Sequence, residues 1–219
     1  MLVVSVRVKE VEMAAPAGRR AARAAETEAA LKEAARRVFA ERGYLNTKIT
    51  DITSAAGRAA GSFYNHFAGK DELLTALLTE MLEDDSARTD PEHDPDLSRR
   101  GAVRWHVAEF WHFYRRHLPE MVALREAATV NPEFGRRLQE IISADSAHLL
   151  GHLALVRAAG IPLPGEPRLL VSAMHCLLDQ FAYTWLVLGG DGSRPAVDDD
   201  EAIDMLTDCL LYTSPSPRD

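Results

Sequence analysis

Residues 57–74, GRAAGSFYNHFAGKDELL, constrain this chain more than any other stretch. Helical periods lie on both sides of it. Upstream, ETEAALKEAARRVFAER (26–42) puts Ala30, Leu31, Ala34, Ala35, Val38 and Phe39 on one stripe, and Gly43 follows as a stop signal. A second helix is expected over 48–56, with Thr47 as its nearest capping side chain and Ile49, Ile52 and Ala56 on its buried face. Gly57 suits the left-handed residue that closes such a helix. A third helix over 60–66 turns Phe63 and Phe67 inward, and a fourth over 70–84 does so with Leu73, Leu74, Leu77, Leu78 and Met81. Two short helices meeting at a glycine turn are the helix-turn-helix plan, whose second helix enters the DNA major groove. Spacing alone fits a plain packing corner equally well, with Gly57 and Gly61 permitting two helices to cross.

Charge tells in favour of the first reading only when it is divided along the chain. The 219 residues carry a net charge of −8, which opposes contact with a polyanion. Residues 1–82 hold a balance of +2 and residues 83–219 one of −10, so the front can approach nucleic acid and the back cannot.

The run from Ala34 to Leu74 resembles the DNA-binding domain of the TetR family of transcriptional regulators. The resembling segments are AARRVFAERGY, TKITDITSAAG and AAGSFYNHFAGKDELL, which together take up nearly all of residues 34–74. The resemblance implies phosphate contacts at Tyr64, His66 and Lys70, whose phenol, imidazole and ammonium are suited to that task. Lys48 is a further phosphate candidate at a helix start. Ala60, Gly61 and Ser62 match positions that face base edges, with Thr50 reaching in from the preceding helix. Ala59 departs from the serine or threonine common there and removes a side-chain cap of roughly 1 kcal/mol. Arg58 replaces an apolar residue, and reads either as a DNA contact or as a solvated turn residue. With little bidentate donor chemistry available, readout falls to methyl contacts, Arg58, Asn65 and DNA shape.

The flanks are less specific. Gly18–Arg23 reads as a flexible basic arm or a solvated tail within a 1–24 extension. Residues 1–12 share nothing with the family pattern, so Met13 is the expected start, and SPSPRD (214–219) is expected to lie outside the fold. The DNA-binding domain is assigned to 25–82. After it, TDPEHDPD (89–96) is an acidic, proline-broken linker into an 83–213 domain of five further helices, over 97–117, 119–130, 132–159, 166–189 and 199–212. No strand pattern or internal repeat is visible, and the fold class is all-α with about nine helices.

For that second domain the resemblance implies a ligand pocket and a homodimer interface. Trp105, Phe110, Met121 and Met174 are the expected pocket residues among a larger set of apolar side chains that serve the core. HCLLDQFAYTWLVL is too apolar for one exposed face, so 166–189 and 199–212 are the expected dimer helices. His148 and His152 share a helix face at a chelating spacing, but no third ligand is evident in sequence. His106, His112 and His117 are scattered, and no metal or cofactor is expected. Neither a nucleophile elbow nor a glycine-rich phosphate loop is present, which argues against an enzyme. Cys176 and Cys209 form no disulfide framework and are expected to be buried thiols in a cytoplasmic protein without a membrane span. The expected function is a ligand-responsive repressor of a near-palindromic DNA operator. The alternative is a helical small-molecule carrier or protein-binding module with a non-functional DNA head.

Overall fold

The structure, a computed structural model, describes residues 16–86, 93–194 and 196–212. The expected features of 1–12, Met13 and the SPSPRD tail lie outside them. Ten α-helices account for the described residues, and no strand occurs among them. They are α1 (Pro16–Arg42), α2 (Ile49–Ala55), α3 (Ala60–Phe63), α4 (Lys70–Ser86), α5 (Arg100–Arg116), α6 (Leu118–Val130), α7 (Pro132–Asp145), α8 (His148–Ala158), α9 (Pro167–Ala182) and α10 (Asp199–Tyr212). A π-helical turn, Tyr183–Val187, extends α9.

The amphipathic stripe read from 26–42 is the buried face of α1. Leu31, Ala34, Ala35, Val38 and Phe39 are buried, as are Ile52, Phe63 and Phe67 from the two short helices and the five apolar residues expected of α4. Gly43 (φ +73°) and Gly57 (φ +63°) close α1 and α2 in the left-handed region. Helix α1 starts earlier than expected. Gly18–Arg23 are helical and exposed, a correction to the flexible arm, because a run of alanine and arginine favours helix strongly.

Capping at α2 also differs. The N-cap is Lys48, whose backbone N–H donates to the Asp51 carboxylate at 2.9 Å. Thr47 is buried instead, and its hydroxyl donates to the Gly43 carbonyl at 2.6 Å. Regular helix α3 ends at Phe63 rather than at residue 66, and its last turn tightens through a His66 N–H bond to the Phe63 carbonyl.

Beyond α4, prolines mark helix starts as expected: Pro119 in α6, Pro132 in α7 and Pro167 in α9. Asn131 caps α7 by accepting the N–H groups of Glu133 and Phe134. The single helix expected over 132–159 is broken at Ser146–Ala147. Packing accounts for the break: α7 buries Phe134 and Leu138 in one apolar cluster, α8 buries Leu153 and Val156 in another, and one straight helix cannot reach both.

These clusters organise the molecule. The first joins α1–α4 to Ala123, Leu124 and Ala127 of α6 and to α7. The second joins α5, α8, α9 and α10 around Val107, Trp111, Tyr114, Ile203 and Leu206. Met121 packs against both. Ion pairs lace the surfaces over each: Arg100 and Arg104 of α5 pair with Asp200, Asp204 and Asp208 of α10, while Lys32 and Arg36 of α1 clasp Glu80 of α4 at 2.9 and 2.8 Å.

Burial alone would push the Glu80 carboxyl upward, but hydrogen bonds from Lys32 and Arg36 outweigh it and hold the group below its ordinary value of 4.5. A carboxyl lowered in the folded state stabilises it fully above pH 4.5, and that contribution fades as pH falls through the lower folded value. Glu80→Gln is therefore expected to destabilise the protein most at pH 7, where the charged clasp contributes fully, and to flatten the acid limb of the stability profile, the difference from the parent shrinking in urea unfolding below pH 4.5. An unchanged acid limb would show that the clasp contributes nothing.

Candidate nucleic-acid interface and internal cavity

The head formed by α1–α4 presents one polar edge. Lys48 and Thr50 from α2 are exposed, as are Ala60, Gly61, Tyr64 and Asn65 from α3 and the turn after it, while Ser62 is half-buried. Tyr64 is 62% exposed even though Phe63 beside it is fully buried. Helix α3 thus anchors its inner side with one ring and offers the next ring to solvent. The Ser62 hydroxyl donates to the Ala59 carbonyl at 2.6 Å, steadying the first turn where a side-chain cap is lacking and leaving an oxygen lone pair outward.

Three residues expected at this edge are turned to other work. Lys70 sends its ammonium inward to the carbonyls of Tyr44 and Thr47, at 2.7 and 2.6 Å, and sits 4.1 Å from the Tyr44 ring centroid. Burial pulls its pKa below the ordinary lysine value. It closes the α1–α2 turn onto the start of α4 by bridging two carbonyls of that turn. Arg58 pairs with Glu26 of α1 at 2.9 Å, and its Nε is buried without a hydrogen-bond partner. It is half-buried rather than a fully solvated turn residue, and in this structure its guanidinium is engaged by Glu26. His66 lies half-buried with Nδ1 3.7 Å from a Glu28 carboxylate oxygen. For Arg58 and His66 the reason is geometric: their side chains leave the turns around α3 toward α1, whose Glu26 and Glu28 lie within reach.

A polar junction that sequence reasoning missed ties the head to the rest of the chain. Glu126 of α6 accepts the backbone N–H groups of Tyr44 and Leu45 at 2.7 and 3.2 Å. A Cβ on Gly43 would lie 3.1 Å from its Oε2, so glycine serves there for space as well as for φ. Asp71, at the start of α4, accepts from the Tyr44 hydroxyl and from Asn131 Nδ2, the latter at 2.7 Å. Arg36 of α1 approaches the buried Glu120 of α6 at 3.3 Å. No sequence signal pairs residues 44 and 126, because their meeting depends on how α1 crosses α6.

Behind this junction lies a cavity of about 760 Å³, a volume in the range of small-molecule sites. Trp105, Phe110, Met121 and Met174 all line it, together with apolar residues from α4, α6, α7, α8 and α9. Its polar lining includes Arg125, paired with Asp179 at 2.8 Å, the carboxylates of Asp85, Glu109 and Asp145, and the histidines His93, His106, His148, His152 and His175. Leu78, Leu82 and Asp85 of α4 form part of the wall, while Leu73, Leu74 and Leu77 of the same helix pack within the head. One helix therefore touches both the cavity and the head.

Cys176 and Cys209 are both exposed, which corrects the expectation of buried thiols. Each sits on the outward side of its helix, among Leu169, Ala173 and Leu177 on α9 and Met205 on α10. The apolar character of HCLLDQFAYTWLVL is thus divided between the interior and a solvent-facing stripe. No helix among the described residues is long and apolar enough to cross a membrane.

A head of α1–α4 with an exposed short helix, joined through α4 to a helical body that holds a cavity of small-molecule size, defines a helix-turn-helix protein with an internal cavity. Residues 31–77 match the family described as bacterial regulatory proteins, tetR family, and the head of this chain is a TetR-family helix-turn-helix domain. Among curated relatives, the chain is 41% identical over 83 residues to the HTH-type transcriptional regulator TtgR of Pseudomonas putida, covering 37% of this chain and 39% of that one. It is 45% identical over 53 residues to the HTH-type transcriptional repressor KstR2 of Mycobacterium tuberculosis, covering 24% and 26%. These matches span well under half the length of those relatives. The fold extends further: the fatty acid degradation regulator FadR of Bacillus halodurans superposes with a TM-score of 0.67 at 18% identity, over 84% of this chain and 94% of that one. The TetR-family regulator PfmR of Thermus thermophilus gives 0.60 at 20% identity, over 83% and 97%.

Proposed function

We propose that this protein is a ligand-responsive transcriptional repressor that binds duplex DNA through its head and a small apolar or amphipathic molecule in its cavity. The observation that carries the reading is α4, whose first turns pack in the DNA-binding head and whose last turns line the cavity. A ligand that fits one setting of α4 better than another shifts the head by its differential affinity for the two settings. A complete switch needs about 10⁴-fold discrimination, and partial regulation needs less. The relatives, themselves repressors and regulators of transcription by name, point the same way. The role is one of binding, and no residue is assigned to catalysis.

DNA contacts are assigned to Lys48, Thr50, Ala60, Gly61, Ser62, Tyr64 and Asn65, which share the exposed edge. Lys70, His66 and Arg58 position that edge from behind. The homodimer forms through α9 and α10, whose outward stripes carry Leu169, Leu177 and Met205 in solvent. Two-fold pairing sets the α3 helices one DNA turn apart, about 34 Å, on a near-palindromic site.

Selection of random duplex DNA by the purified protein at two salt concentrations tests the reading. An enriched near-palindrome with a steep salt slope supports it. No enrichment from a stable dimer supports the carrier alternative, which the weak donor set of Ala60 and Gly61 favours. Tyr64→Phe is expected to weaken all sites alike by a few-fold, since one neutral hydrogen bond contributes about 0.5–1.5 kcal/mol. Ser62→Ala is expected to change sequence preference. Equal losses across a panel of sites for both variants would contradict the division between phosphate and base contacts.

A further inference from the structure

Three histidines far apart in sequence meet on the cavity wall: His93 from the stretch before α5, His106 from α5 and His152 from α8. Their ring centroids lie 5.0, 5.1 and 5.2 Å apart, and one ligand nitrogen from each falls within 4.8 Å of the others. We propose that His93, His106 and His152 form a binding site for a late first-row divalent ion such as Zn²⁺, with its fourth position open to the cavity.

Hydrogen bonding prepares the ligands. His106 Nδ1 lies 2.9 Å from the Ala102 carbonyl one turn back, so that nitrogen carries the proton and Nε2 presents its lone pair to the cluster. A backbone carbonyl behind a ligating imidazole is the usual outer support of a metal site. Both His106 Nε2 and His152 Nδ1 are buried with no hydrogen-bond partner, an unfavourable arrangement that a bound ion would relieve. The His93 ring is held flat against Trp105, centroids 4.1 Å apart and planes 5° from parallel. Zinc–nitrogen bonds of about 2.0–2.1 Å in tetrahedral geometry place neighbouring nitrogens about 3.3 Å apart, so small rotations of the three rings close the site.

Chemistry selects the ion. An all-imidazole set favours zinc, nickel, cobalt or copper over magnesium and calcium, which need oxygen. Asp85, Glu109 and Asp145 line the same cavity and offset the two positive charges that neutral imidazoles leave. Burial also drives the His106 pKa down to about 4, keeping that ring neutral and available to a metal at pH 7. The three-ligand set with an open position facing the cavity lets a ligand's own carboxylate, phenolate or amine complete the coordination sphere.

The site has a consequence that depends on the regulator reading above. His93 belongs to the stretch between α4 and α5, so a metal ties that stretch to α5 and α8 beside the end of α4. Metal occupancy would then bias the head as well as the ligand.

The test uses full-length, tag-free protein stripped with chelator and titrated with Zn²⁺ and Co²⁺, with the ligand-field absorption of bound Co²⁺ as reporter. One ion per chain and an intense tetrahedral cobalt spectrum are expected. His93→Ala, His106→Gln and His152→Ala are each expected to weaken binding by more than the ~10–100-fold that loss of an outer partner costs. His112→Ala, on α5 but outside the cluster, is expected to bind as the parent does. His93→Ala lies outside any helix, so its unchanged thermal unfolding would exclude misfolding as the cause of its loss. Substoichiometric binding, an octahedral spectrum, or undiminished affinity in the His93 and His106 variants would overturn the site. Metal binding by a protein that selects no DNA would leave the site standing and remove the regulator reading.

Discussion

Phe63→Ala is expected to lower stability by about 3–5 kcal/mol and to abolish DNA binding as a result. Phe63 is fully buried, and its ring meets Phe67 and Tyr64 with centroids 5.6 Å away in each case. Helix α3 has four residues, too few to persist without tertiary support. The ring is thus the main attachment of the DNA-facing segment to the core. That core is shared with α6 and α7, so the loss spreads beyond the head. At roughly 2–4 °C per kcal/mol for a chain of this size, the thermal midpoint should fall by about 6–20 °C. Tyr64→Ala, one residue along, is expected to leave the midpoint nearly unchanged while weakening DNA binding. Thermal unfolding of the two variants side by side checks this, and a similar drop in both would mean that Tyr64 is structural.

Glu126→Ala is the second large effect, because one carboxylate serves two backbone donors where head and body meet. Hydrogen bonds to a charged acceptor contribute about 1.5–3 kcal/mol each, and the Tyr44 and Leu45 N–H groups would lose theirs. A destabilisation of about 2–4 kcal/mol is expected, with faster amide exchange over residues 43–48 than over the α5–α10 interface. Glu126→Gln keeps an acceptor oxygen and should fall between the two. The mechanical consequence follows from position: α6 touches the cavity through Met121, Leu124 and Arg125, and touches the head through Glu126. Loosening that contact should leave the cavity able to fill while muting its effect on the head. Exchange at 43–48 matching the parent protein's would show that the junction is not a restraint.

The contrast between these residues shows what periodicity can reveal. Phe63 was legible because burial on a short helix beside a glycine turn leaves a mark in spacing, and so were the faces of α1 and α4. Glu126 was not, since a charged residue on an amphipathic helix looks the same whether it meets solvent or a neighbouring backbone. The same limit applies to Lys70. Its place in the family pattern suggested a phosphate contact, but the direction of a flexible side chain is set by the carbonyls it finds, here those of Tyr44 and Thr47. The break between α7 and α8 carries no proline or glycine, and arises from two separate cores pulling one helical sequence apart.

The sequence by itself determined the all-helical class and the buried stripes, because helical period and glycine stops are local properties of the chain, while the helix-turn-helix head and the pocket were expectations that the family resemblance supplied. Tertiary structure decided which polar side chains stay on the exposed edge of the head and which turn inward, how α6 grips the head, and that His93 meets His106 and His152. Those outcomes depend on the crossing of elements distant in sequence, where the position of a partner, and not the residue's own type, selects among the rotamers a polar side chain can adopt.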